Sequence, residues 1–156
     1  MGSKLVNHLY LKYSIRKFKS ERLFYIHIPR TGGTSISKVI FGKRNGHFSA
    51  LELRENVGMN YFSAAYSFAV VRNPFERLVS AYQFIKSGGS KHGAVRPNKA
   101  FSSGILENFE NFIKLWLVFQ PHDSVDLLLK RQYLFVTDEN ENLIISKIFK
   151  IENLEE

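Results

Sequence analysis

Leu23-Phe24-Tyr25-Ile26-His27-Ile28, followed at once by Pro29-Arg30-Thr31-Gly32-Gly33-Thr34-Ser35, decides how this chain is read. The first six residues form a compact run rich in aromatic and β-branched side chains. Such a run suits a strand buried on both faces, as in a parallel sheet. Pro29 ends it, and the glycine pair predicts a turn. Ile36, Val39 and Ile40 then recur at i, i+3 and i+4, so a helix is expected from near Thr34 or Ser35, either of which can cap it. Strand, glycine-rich loop and helix make half of a βαβ unit. Two glycines let successive N–H groups converge, and the helix N-terminus adds its positive dipole end. Thr31, Thr34 and Ser35 add hydroxyls, and Arg30 adds a full charge. The result is a cradle for phosphate or sulfate. A plain tight turn with a capped helix is the alternative, but the buried strand before the loop and the arginine inside it favour the anion.

The same unit recurs downstream without a sequence repeat. Ser67-Phe68-Ala69-Val70-Val71 predicts a second buried strand, Asn73-Pro74 breaks it, and Pro74 suits the first position of a helix. Phe75, Leu78, Val79, Tyr82 and Ile85 predict the apolar stripe of that helix. In a parallel sheet Arg72 leaves the carboxyl end of its strand on the same edge as the glycine loop, where open α/β sheets bind ligands. Arg72, Glu76, Ser80 and Gln83 fall off the stripe, with Ser80 roughly 9 Å along the helix from Pro74. A cation and a hydroxyl at that offset can hold a second phosphate. The site is not a nucleoside-triphosphate P-loop. That motif needs Gly-Lys-Ser/Thr and a second strand ending in an aspartate that helps hold magnesium. Here the second strand ends in Arg72, and the first aspartate in the chain is Asp123.

Around these units, residues 1–22 read as a basic, mildly amphipathic lead-in with Leu5, Leu9 and Tyr13 at helical spacing, ahead of a single domain over 23–156. Residues 42–47 form a polar loop, and Ser49 can cap a short helix through Leu51, Leu53 and Asn56. Residues 87–104 predict a long loop, a length usual for functional lids. It carries Lys91, His92, Arg96 and Lys99 just after Lys86. A helix is expected around 108–119 with Phe109, Phe112, Ile113, Trp116 and Leu117 inward. Residues 133–136 and 143–149 read as strands or extended segments joined by an acidic turn. The fold class is therefore α/β, one domain with a central parallel sheet flanked by helices.

Composition narrows the chemistry. At 44% hydrophobic and 23% charged residues the chain has a globular profile, and no apolar run is long enough to span a membrane. Without cysteine there is no thiolate nucleophile, disulfide scaffold or Cys-ligated metal site. The net charge of +8 is unevenly spread. Residues 1–100 carry 17 basic and 4 acidic side chains, whereas residues 101–156 carry 5 and 10. A positive front half attracts phosphate, sulfate, nucleic acid or an acidic polymer.

The stretch Ile-His-Ile-Pro-Arg-Thr-Gly-Gly-Thr-Ser, with Val-Val-Arg-Asn-Pro-Phe-Glu-Arg-Leu-Val-Ser-Ala-Tyr about forty residues later, closely resembles the carbohydrate sulfotransferases. These enzymes use 3′-phosphoadenosine 5′-phosphosulfate (PAPS). The resemblance covers roughly residues 23–154, since Gln132-Tyr133-Leu134-Phe135 and Phe149-Lys150-Ile151-Glu152-Asn153-Leu154 are also similar to later segments of the family. It implies the P-loop NTPase-like sulfotransferase fold and transfer of sulfate from PAPS to a carbohydrate hydroxyl, with no metal. Arg30, Thr31, Gly32, Gly33, Thr34 and Ser35 would hold the 5′-phosphosulfate, and Arg72 and Ser80 the 3′-phosphate. The family usually has lysine where Arg30 stands. Arginine does not give up a proton at neutral pH, so its help to the leaving group is purely electrostatic. Family members usually continue beyond the point matching the end of this chain, which is therefore a minimal member or one cut short at its C-terminus.

Five histidines compete to be the base. His27 sits inside the first strand and reads as a core residue, His8 and His122 lie outside the motifs, and His92 is placed to touch the acceptor. His47, in Asn45-Gly46-His47-Phe48-Ser49, matches the histidine that follows the phosphosulfate loop and acts as base in similar sulfotransferases. The expected partner is a carbohydrate, with the basic 87–104 loop favouring an anionic glycan, and no nucleic acid. The absence of a signal or spanning segment in this chain points to a soluble cytoplasmic protein. Two other functions fit less well. A kinase-like phosphotransferase requires magnesium and ATP, and a basic polyanion-binding module rests on charge alone.

Overall fold

The computed structural model describes residues 2–90, 93–94, 104–120 and 126–154. The sheet is parallel, as expected. β1 (Leu23–Ile26) pairs with β2 (Tyr66–Val71), which pairs with β5 (Lys147–Lys150), in the order β1-β2-β5. Helices flank it, so the class is α/β. By internal packing the chain forms two compact units, Met1–Arg72 with Arg131–Glu156, and Asn73–Lys130.

In the first unit, β1 buries Phe24, Tyr25 and Ile26, and β2 buries Ser67 to Val70. Helix α1 (Gly2–Glu21) supplies Phe18, whose ring lies 5.5 Å from Phe24 and 5.3 Å from Phe41. Its inward face is therefore Leu11, Ser14, Ile15 and Phe18, while Leu9 and Tyr13 are exposed. Packing against Phe24 and Phe41, rather than the spacing of Leu9 and Tyr13, sets the rotation of this helix. Ser49 caps α3 (Ala50–Val57) as expected, in a reciprocal box with Glu52. Helix α4 (Met59–Ala64) follows and buries Phe62 against Phe24. β5 is exposed at all four positions. Just before it, the Ser146 and Ser67 hydroxyls stitch β2 to the segment entering β5. Residues 133–136 are not a strand. Tyr133–Phe135 is a 3₁₀ turn closed by the Thr137 hydroxyl donating to the Tyr133 carbonyl at 3.0 Å. A short apolar run without period fits either state, and the local hydroxyl tips it.

In the second unit, Pro74 opens α5 (Pro74–Lys86), and the Asn73 side chain accepts from the Phe75 and Glu76 amides. The predicted stripe is partly wrong. Phe75 is 78% and Val79 43% exposed, and the inward face is Arg77, Ala81, Tyr82 and Ile85. Tyr82 and Ile85 pack on Phe112 and Trp116. The expected 108–119 helix is a single turn of α-helix (α6, Phe109–Asn111), then a π segment to Trp116 and a 3₁₀ turn to Phe119. Its inward residues are the anticipated ones. Of the predicted long loop, Gly89–Ser90 (β3) and Gly93–Ala94 (β4) form a small antiparallel pair. Lys91, His92, Arg96, Lys99 and His122 lie outside the described residues.

Arg77 is only 6% exposed. Its guanidinium donates to the carbonyls of Lys130 (3.0 Å) and Leu128 (3.1 Å), which end the turn at 126–130. Burial pushes it down to about 10, still charged at neutral pH. Arg77→Met leaves both carbonyls without these donors and is expected to cost about 1.5–3 kcal/mol of stability in urea unfolding. A loss below about 0.5 kcal/mol, the size typical of a surface change, would show that the turn does not depend on it.

Candidate active site

Beyond Ile26 the chain stays extended and buried through His27, Ile28 and Pro29 before it turns. Two left-handed residues make the turn, Arg30 at φ 69° and Gly32 at φ 75°. Glycine adopts this conformation freely, whereas arginine pays steric strain there, on the order of 1–2 kcal/mol. Thr31, between them, is buried and donates its hydroxyl to the Ile28 carbonyl at 2.9 Å, which closes the loop on itself. Gly33 lies flat over the rings that β1 sends beneath it. A Cβ there would run into the His27 imidazole and come within 2.7 Å of the Tyr25 hydroxyl. At Gly32 a Cβ would lie 3.0 Å from Ile151, in the turn after β5.

Helix α2 (Gly33–Phe41) starts here with Gly32 as its N-cap and no side-chain cap. Neither Thr34 nor Ser35 caps it, contrary to expectation, because the chain enters the helix through Gly32 and places both hydroxyls inside the first turn. The Ser35 amide turns back to the Gly32 carbonyl at 3.0 Å, while the amides of Gly33 and Thr34 precede any intrahelical acceptor.

His27 is buried, as expected of a core residue, yet it organises the site. Its Nδ1 donates to the Asn45 carbonyl at 3.2 Å. Its own carbonyl accepts from His47 Nδ1 at 2.9 Å, and the two imidazoles lie 4.0 Å apart. Burial first, then the neighbouring His47, pushes the His27 imidazole down to about 3, against the pull of the Asn45 carbonyl. His27 is therefore neutral and leaves His47 beside an uncharged ring. Tyr25, stacked on His27 at 5.7 Å, is held neutral by burial, and its hydroxyl neighbours Thr31 without reaching hydrogen-bond geometry.

Arg72 follows β2 and is half-buried. It lies close enough to Arg30 for their charges to interact. Burial first and the Arg72 charge second lower the Arg30 pKa. Two like charges that feel one another favour the arrival of an anion. The backbone of Arg72 is gripped by Gln132, a residue to which the motif reading gave no role in the site. Ser80 belongs to the second unit, half-buried on α5. Among the described residues no group of three or more His, Asp or Glu is arranged to hold a metal, and no helix is long and apolar enough to cross a membrane.

The family model described as the sulfotransferase family matches residues 2–156. The chain belongs to the sulfotransferase family. No curated protein and no solved structure matches it. Family membership makes transfer of a sulfuryl group from a donor to an acceptor the activity of this sulfotransferase. Within its first unit, the glycine loop with its Arg30, then His47, then Arg72 come from three separate stretches of chain.

The low pKa of His27 sets a stability signature for the sulfotransferase. Between about pH 3 and 6.5 the unfolded chain binds a proton on His27 that the folded chain does not. Stability is therefore expected to fall on acidification through that window, by up to about 1.4 kcal/mol per pH unit from this group. Urea unfolding from pH 6.5 to 4.5 should show a shallower dependence for His27→Gln. Parallel slopes for the two proteins would place the titration elsewhere.

Proposed function

We propose that this sulfotransferase takes its sulfuryl group from PAPS and delivers it to a hydroxyl of a carbohydrate, an anionic glycan best suiting its basic front half. In this reading Arg30, Thr31, Gly32, Gly33, Thr34 and Ser35 hold the 5′-phosphosulfate. Arg72 and Ser80 hold the 3′-phosphate, and His47 is the base. Supporting it are the uncapped start of α2, the strained Arg30 beside Arg72, and the family itself.

The observation that carries the reading is the bond from His47 to the His27 carbonyl. A carbonyl oxygen only accepts, so Nδ1 of His47 holds the proton and Nε2 of the neutral ring keeps its lone pair. That is the tautomer a general base needs. His47 Nε2 would take the proton of the acceptor hydroxyl as its oxygen bonds to sulfur and the sulfur–oxygen bond to the phosphate breaks. Sulfuryl transfer resembles phosphoryl transfer, in line through a loose transition state with charge on the peripheral oxygens. Arg30 and the leading amides of α2 would stabilise that charge, with Arg30 giving bidentate hydrogen bonds and no proton.

Calorimetric titration with adenosine 3′,5′-bisphosphate in EDTA is expected to show binding, and magnesium-ATP is expected not to displace it. His47→Ala should lower sulfate transfer across a glycan panel by about 10²–10⁴-fold while leaving bisphosphate affinity unchanged. Near-normal turnover would move the base to another residue. Preference for magnesium-ATP would return the phosphotransferase alternative.

A further inference from the structure

The chain leaves the first unit at Arg72 and rejoins it at Arg131. One residue after the return, the Gln132 side chain reaches back over 60 positions and makes a two-point contact with the backbone of Arg72. The Arg72 N–H donates to Gln132 Oε1 at 3.0 Å, and Gln132 Nε2 donates to the Arg72 carbonyl at 2.8 Å. A side-chain carboxamide has the donor and acceptor of a peptide group. Engaging both the N–H and the C=O of one residue is how a neighbouring strand holds it in a parallel ladder. The backbone pairing of β2 with β5 stops at Val71 and Lys150. Gln132 thus continues the hydrogen bonding of β2 by one residue, using a side chain where the strand has run out.

That residue is the one whose charge acts on Arg30. With both backbone polar groups of Arg72 fixed, its φ and ψ, and hence the direction of its Cα–Cβ bond, are fixed as well. Asn73 and Pro74 then turn the chain away into α5. We propose that Gln132 is a positioning residue of the donor site, which holds the Arg72 backbone so that its guanidinium meets the nucleotide phosphate. This role rests on the reading of Arg72 given above.

The test compares wild type, Gln132→Met, Arg72→Met and the double variant, each titrated calorimetrically with adenosine 3′,5′-bisphosphate. Methionine keeps the length and removes both hydrogen bonds. Gln132→Met is expected to weaken binding about tenfold, and to weaken it no further when Arg72 is already methionine. Gln132→Glu keeps the acceptor for the Arg72 N–H and loses the donor, so its affinity should fall between wild type and Gln132→Met. It also serves if the methionine variant does not fold. A second readout needs no nucleotide. The Arg72 Nε–Hε resonance, assigned by its loss in Arg72→Met, should shift or broaden in the Gln132 variants. Wild-type affinity in Gln132→Met and Gln132→Glu, or a tenfold loss that persists without Arg72, overturns the positioning role alone. A wild-type protein that does not bind the bisphosphate overturns the reading of the site and this role with it. In that case an altered Arg72 resonance shows whether the clasp on its backbone is nevertheless real.

Discussion

Gly33 lies directly on a buried histidine, and the assembly of the site follows from that contact. Tyr25 in β1 and His27 just past its end lie two residues apart on extended backbone and so fall on the same side. The loop can close over them only where its backbone carries no side chain. His27 is held in turn by Asn45 and offers its carbonyl to His47, so the 29–35 loop and the 44–49 segment are both indexed to one imidazole. Were that ring charged, it would repel a protonated His47 and weaken the apolar packing beneath the loop. Burial keeps it neutral, which lets a residue with titrating chemistry serve as a structural plate.

The electrostatics divide between fixed dipoles and mobile charges. The loop and the start of α2 present backbone groups that need no rearrangement when an anion arrives. Arg30 and Arg72 contribute whole charges, and both give up some hydration to do so. In the proposed reading, a ligand of opposite sign relieves their mutual repulsion. The excess of basic residues in the first hundred positions adds a broad positive field.

Much of this was legible because the deciding signals are local. A six-residue apolar run, a glycine pair, Asn73-Pro74 and Ser49 each act within a few residues, and each marked the strand, turn or helix start it predicted. The features that escaped depend on distant partners. Arg77 is inside because two carbonyls fifty residues away accept from it, so apolar spacing alone found Leu78, Tyr82 and Ile85 but missed Arg77 and misplaced Phe75 and Val79. The outward Leu9 and Tyr13 show the same dependence, since Phe24 and Phe41 choose the face of α1. Tyr133 to Val136 carries no period by which to tell a strand from a tight turn. At the site, the loop and Arg72 stand out by composition and His47 by resemblance. The hydrogen bonds of Gln132 leave no mark in a linear reading.

Arg30 occupies a backbone conformation that suits glycine or asparagine better than arginine. In the proposed reading, comfort of the chain and charge for the donor pull in opposite directions at this single position. On that reading, selection for heat tolerance alone would drift toward the relaxed residue and discard the cation unnoticed, whereas selection for turnover would keep the awkward one. Position 30 is thus where a library ranked by melting temperature and one ranked by catalysis should part company.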